Sequence, residues 1–211
     1  MIIEQREARP LMAWKGKDWK YGTDEERVEF ALSPVGEGGM DSFDLQAMLK
    51  ALHLIEKKGS SAVIVETGFG WGYSARLIIT HVLQHGGAYH SVDIIFRDQI
   101  SQPLKDLCLF QLVNTHQHDS RTFKWEGGLI DFLNIDSEHS LSFVLAEYMC
   151  FRPYLAADAI IGFHDVNSCP GVREGIEVIK KMDKLELVAR NESTASFGYE
   201  AYRLLAKDQG I

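Results

Sequence analysis

AVIVETGFGWGYS, residues 62–74, decides how the rest of the chain is read. Residues 62–65 are an apolar, β-branched run, the composition of a buried strand. Glu66 closes the run, Gly68, Gly70 and Gly72 alternate with larger residues, and a helical pattern begins at once. Ala75, Ile78, Ile79, Val82 and Leu83 recur at helical spacing until Gly86 stops them. Strand, glycine turn, helix is a nucleotide-binding crossover. The glycines let the backbone take left-handed angles and pass close to a ligand where a Cβ would collide.

A dinucleotide fingerprint needs glycines at the first, third and sixth places, and the sixth place here is Tyr73. The stretch from Glu66 to Gly72, ETGFGWG, instead resembles the first motif of the class I S-adenosylmethionine-dependent methyltransferases. That resemblance implies that Gly68, Gly70 and Gly72 pack under the methionine part of S-adenosylmethionine. Glu66 then stands where a carboxylate suits the cofactor's ammonium and sulfonium charges.

Working outward, the chain of 211 residues suffices for one full core. Its formal net charge of −8 argues against a sequence-independent nucleic-acid surface, which needs excess Lys and Arg. Cys108, Cys150 and Cys169 lack metal-type spacing and read as reduced packing thiols. Glu4, Gln5, Arg6, Glu7 and Arg9 leave no signal-peptide hydrophobic region, and no apolar run reaches membrane-spanning length. A cytoplasmic location with no membrane partner is the expectation.

Residues 1–40 show no clear period. Trp14, Trp19, Tyr21 and Phe30 are scattered among charges, and Gly36, Gly38 and Gly39 close the segment. It reads either as a lid over a pocket or as an extension packed on the sheet edge. Residues 41–211 form the cofactor-binding domain. Asp41 or Ser42 caps a helix that presents Leu45, Met48, Leu49, Leu52 and Ile55 on one face, with Lys57 and Lys58 in its last turn and Gly59 at its end.

The second strand, residues 88–93, ends in Asp93, roughly 20 residues beyond the glycine loop, where a nucleotide fold places an acid for the ribose hydroxyls. Ile94 and Ile95 follow, suited to an adenine face. Pro103 opens a short helix through Leu104, Leu107 and Cys108. A third strand within 113–118 ends in Asp119-Ser120, the place where the resembled family bonds the adenine amino group. Strand 129–135 runs into Asp136-Ser137-Glu138-His139, and strand 159–163 into His164-Asp165. A helix over 171–182 and strands 185–189 and 196–205 finish the chain. The tally predicts an α/β, Rossmann-like, seven-stranded, mostly parallel sheet with helices on both faces and a C-terminal β-hairpin.

Glu66, Asp93, Asp119, Asp136, His164 and Asp165 all fall at strand carboxyl ends, where ligands gather in open α/β sheets. Carboxylates converging on one rim call for a cationic guest, a sulfonium cofactor or a metal. Residues 129–166 resemble the macrocin-type sugar O-methyltransferases, the cephalosporin-hydroxylase-like proteins and, more distantly, catechol O-methyltransferase. The likeness covers residues 41–205 in layout, and 62–93 and 129–166 closely. It implies a magnesium ion at Asp136, His164 and Asp165; the imidazole leaves open that a softer ion binds, that His164 only orients Asp165, or that no metal is present. It also implies that His139, three residues past Asp136, is the general base.

Nitrogen-directed relatives usually carry two prolines and an aromatic after the fourth strand, which Asp136-Ser137-Glu138 lacks. The expected activity is therefore O-methylation of a small hydroxylated molecule, a sugar or natural-product scaffold. A non-catalytic scaffold and an NAD-dependent oxidoreductase are the rivals, and a homo-oligomer stays open as its state. His53, His81, His85, His90, His116 and His118 show no ligand spacing by this reading.

Overall fold

The computed structural model describes residues 11–33 and 39–208. The charged first ten residues and Gly36 and Gly38 lie outside that range. Seven strands form one sheet: β1 Val63–Thr67, β2 Ala88–Asp93, β3 Val113–Gln117, β4 Ile130–Ile135, β5 Leu155–His164, β6 Asp183–Arg190 and β7 Tyr199–Lys207. Their order is β3-β2-β1-β4-β5-β7-β6. The first five are parallel, and β7 runs antiparallel between β5 and β6. Strand order reverses between β1 and β4, which opens a crevice at their carboxyl ends.

Alternation along the central strands sorts side chains onto two faces. Ile64, Phe132 and Ile160 are registered neighbours on one face, and Val65, Leu133 and Ile161 on the other. The first row packs with the helices α1 Asp24–Ala31, α2 Ser42–His53, α3 Tyr73–His85 and α4 Asp98–Asp106. The second packs with α5 Leu141–Phe151 and α6 Pro170–Met182. All six residues are buried, each contributing about 1.5–3 kcal/mol by leaving water. None of the described helices is long and apolar enough to cross a membrane.

Three local expectations are corrected. Helix α2 ends at His53, because Leu54 and Ile55 donate to Ala51 and Leu52, three residues back, and tighten the last turn. Lys57, Lys58 and Gly59 therefore belong to a separate 3-10 segment, Glu56–Ser61. Helix α4 begins at Asp98, not Pro103, because Ile100 and Leu104, four apart, are both buried and draw the earlier turn onto the core. In the N-terminal segment, Thr23 and Glu26 close a capping box over α1. Trp14, Trp19 and Phe30 stack together, and Gln84 donates to Gly22 O at 2.6 Å. Among its described residues this segment packs against α3 and α2.

Candidate active site

Beyond β1 the chain crosses the carboxyl end of β4. Gly68 donates to Val92 O at 2.9 Å, and Asp136 N–H donates to Thr67 O at 3.0 Å. A Cβ on Gly68, at φ +84°, would lie 2.1 Å from Asp136 O, so only glycine lets the loop cross here. A Cβ on Gly70 would meet nothing within 4 Å, which leaves its backbone open to a ligand.

Asp93 holds this loop from the side. Its Oδ2 accepts from Phe69 N–H (2.7 Å) and Gly70 N–H (3.3 Å), and its Oδ1 accepts from Ile95 N–H (3.0 Å). The result is a cavity of about 500 Å³, within the size range of small-molecule sites. Gly68, Gly70, Gly72, Asp93, Ile94, Ile95 and Ser120 line one part of it, and Asp136, His139, His164 and Asp165 another. Ile94 and Ile95 are 69% and 49% exposed, unusually open for aliphatic side chains. They offer a flat apolar contact there. Met40 and Tyr73 also line the cavity, as does Phe197, from the turn between β6 and β7.

Two expected cofactor residues do not reach the cavity. Glu66 is fully buried within the sheet, where it accepts from Tyr89 Oη and, at 3.2 Å, from Asn134 Nδ2. Burial pushes its carboxyl up to about 8, with nearby Asp136 adding to the rise. That rise favours the neutral acid over a carboxylate at neutral pH. Asp119 turns outward into a bidentate pair with Arg121 at 2.6 and 3.0 Å, which holds its carboxyl down at about 2. Its neighbour Ser120 is the one that faces the cavity.

At the other end, the predicted ligand trio rearranges. His164 is 3% exposed, and both ring nitrogens are engaged: Nδ1 lies 3.1 Å from Asp136 Oδ1 and 2.9 Å from Asp165 Oδ2. Its Nε2 lies 3.3 Å from Asp44 Oδ2. The other oxygen of Asp44 accepts from Asn191 Nδ2 (2.5 Å), Ser196 Oγ (2.7 Å) and Gly198 N–H (3.1 Å). Burial by itself would strip the His164 proton, but the three surrounding carboxylates outweigh it and raise its pKa well above the ordinary value. His164 is thus a buried brace between strand ends and α2.

His139 takes the vacated place. Asp136, His139 and Asp165 offer ligand atoms that all lie within 4.8 Å of one another. Its Nε2 sits 2.9 Å from Asp165 Oδ2 and 4.0 Å from Asp136 Oδ1, yet makes no aligned hydrogen bond. A ring nitrogen and two carboxylates this close together could hold a divalent cation. Without a cation, Asp136 and Asp165 push the imidazole up to about 10. The paired histidines in turn hold Asp165 well below the usual carboxylate range, against the effect of its burial.

Sequence reading missed Asp44 altogether. Its one signal is the pattern Asp41-x-x-Asp44, a capping box in which Asp44 Oδ2 accepts from Asp41 N–H at 3.5 Å while its other oxygen points inward. Glu147, buried behind Ser137 and pushed up to about 7 by burial, was missed as well.

Residues 65–166 match the model of a family described as a methyltransferase domain. No curated protein matches the chain in sequence. Among solved structures, it is similar to the O-methyltransferase TomG of Streptomyces achromogenes, involved in tomaymycin synthesis and solved with SAM. The identity is 15% and the TM-score 0.60, over 93% of this chain and 99% of that one. An O-methyltransferase from Bacillus cereus solved with SAH is 13% identical with a TM-score of 0.60, over 92% and 99%. MycE of the mycinamycin pathway, solved with Mg and SAH, is 13% identical with a TM-score of 0.59. That match takes in 97% of this chain and 57% of the other.

Proposed function

From a chain that carries a class I S-adenosylmethionine-dependent methyltransferase domain, we propose an enzyme that methylates an oxygen of a small hydroxylated molecule with the help of a divalent cation. One observation carries the reading. A single cavity is lined both by the glycine loop, Asp93 and the two isoleucines and by the Asp136–His139–Asp165 cluster. A methyl donor and the oxygen that attacks it can therefore share one enclosure.

When bound, S-adenosylmethionine would supply the methyl group, and the cation would lower the pKa of the substrate hydroxyl and fix its oxygen. The chain's own contribution is alignment and charge. Asp93 accepts from three backbone N–H groups with its two oxygens, so the loop edge is rigid where the cofactor would lie. His164, clamped between Asp44 and the rim, fixes the carboxylates of Asp136 and Asp165 before anything binds. Pre-set geometry of this kind lowers a barrier by several kcal/mol in favourable cases.

Asp136 and Asp165 raise the His139 pKa to about 10 when no cation is bound, which favours a ligand role over the general-base role that its place after Asp136 implied. Cation sites of this type bind with release of ligand protons, and His139 is proposed as the third donor. An imidazole in that set favours manganese, cobalt or zinc over magnesium.

Labelled S-adenosylmethionine tests the reading in two stages. Equilibrium binding should be saturable, and methyl transfer to a panel of sugars, catechols and hydroxylated macrolides should require a divalent ion and stop with chelator. Absence of cofactor binding would end the proposal. Binding with no transfer to any member of the panel would favour a cofactor-binding scaffold.

A further inference from the structure

Among the described residues a second group could hold a metal ion, on the opposite end of α3 from the cavity. His81 and His85 are four apart, so they stack on one face of the helix, with ring centroids 4.8 Å apart. Glu56, from the 3-10 turn after α2, brings Oε1 to 3.3 Å from His85 Nε2. We propose that His81, His85 and Glu56 form a site for a transition-metal ion of the zinc type, distinct from the active-site cluster.

The observation that singles out this group is His81. It is fully buried, and neither ring nitrogen has a hydrogen-bond partner. A neutral imidazole carries one donor and one acceptor, and leaving both unmet inside a protein is uncommon. A packing histidine would have found at least one backbone or hydroxyl partner.

The surroundings supply the remaining parts. His53 Nδ1 donates to Glu56, and His53 Nε2 lies 3.0 Å from Asp24 Oδ2. The chain Asp24–His53–Glu56 orients the ligating carboxylate, as outer-shell partners do at metal sites. Arg27, the nearby cation, lies 3.5 Å from Asp24 and donates its Nε to Thr80 Oγ1. His85 and Glu56 are partly exposed and His81 lies beneath them, which gives an ion a route in. Two imidazoles and a carboxylate make a borderline-soft donor set of the kind that zinc takes. His81 lies eight residues past Tyr73, about 12 Å along the helix, and is not among the cavity-lining residues.

Cobalt(II), as a coloured stand-in for zinc, tests the site in the full chain with Asp136→Asn and Asp165→Asn removing the active-site carboxylates. We expect one equivalent of cobalt with tetrahedral d–d absorption, displaced by one equivalent of zinc. Glu56→Gln and His85→Ala, each alone, should weaken binding by more than about 100-fold. Asp24→Asn should weaken it by roughly 10-fold. Glu56→Gln alters only a partly exposed side chain, so it reports on the site even if His85→Ala unfolds. No tetrahedral cobalt spectrum, or a spectrum unchanged by both substitutions, would overturn the assignment.

Discussion

Replacing Glu66 by Gln separates two accounts of the acid before the glycine loop. If Glu66 is a buried neutral acid, its folded pKa near 8 exceeds the unfolded value of 4.5. Between those values the folded chain holds one proton that the unfolded chain has released. Stability contributed by this group is complete below about pH 4.5, falls as pH rises, and is gone above about pH 8. The slope is about 1.4 kcal/mol per pH unit, or roughly 3 kcal/mol between pH 5.5 and 7.5. The amide of the E66Q variant keeps an acceptor for Tyr89 and cannot ionise, so it lacks this loss. Urea unfolding of both proteins across that range gives the difference directly. Glu147, raised in the same direction, is present in both and cancels. Relative to the parent, E66Q should gain roughly 3 kcal/mol between pH 5.5 and 7.5 while cofactor affinity stays unchanged. A difference that is flat with pH, or a tenfold loss of cofactor affinity, would mean that Glu66 is ionised and serves the cofactor after all.

Gly68→Ala should destabilise the chain by more than about 3 kcal/mol in urea unfolding and abolish cofactor binding, since its Cβ lands 2.1 Å from Asp136 O at a left-handed φ. Asp93→Asn should weaken cofactor binding about tenfold by calorimetry, through loss of charge-assisted bonds to the loop, whereas Asp119→Asn should leave it within about twofold. His139→Ala should raise the manganese concentration needed for half-maximal methyl transfer by about tenfold or more. Unchanged metal dependence with lost turnover would instead return His139 to the role of base.

The strands were legible because alternation and β-branched runs record two-sided burial, and the closing hairpin because no helix separates its strands. Positions of the acids were equally legible, as strand ends. Whether each acid faces the crevice was not. Glu66 sits one residue before the end of β1, between Tyr89 and Asn134, whose side chains reach it from the neighbouring strands. Those contacts span 23 and 68 residues of chain, and no local pattern encodes them. Helix α1 escaped for a different reason. Its inward face includes Arg27, 1% exposed, which breaks the apolar period, although the Thr23–Glu26 box was there to be read.

The same long-range pairing changes what the acidic rim means. Read as a row of strand ends, it is an excess of negative charge awaiting a cation. In the folded chain, His164 already sits between Asp44, Asp136 and Asp165, and His139 reaches the last two from above. Part of the charge is thus answered by imidazolium groups. At the Asp136–His139–Asp165 end the three side chains lie close enough together to hold a metal ion, while the deeper Asp44–His164 contact joins residues 120 apart in sequence. The brace from Asp44 through His164 sets the rim by contacts among the chain's own side chains. That division, one histidine to hold the carboxylates and one to share them, is why two histidines at neighbouring strand ends cannot exchange roles.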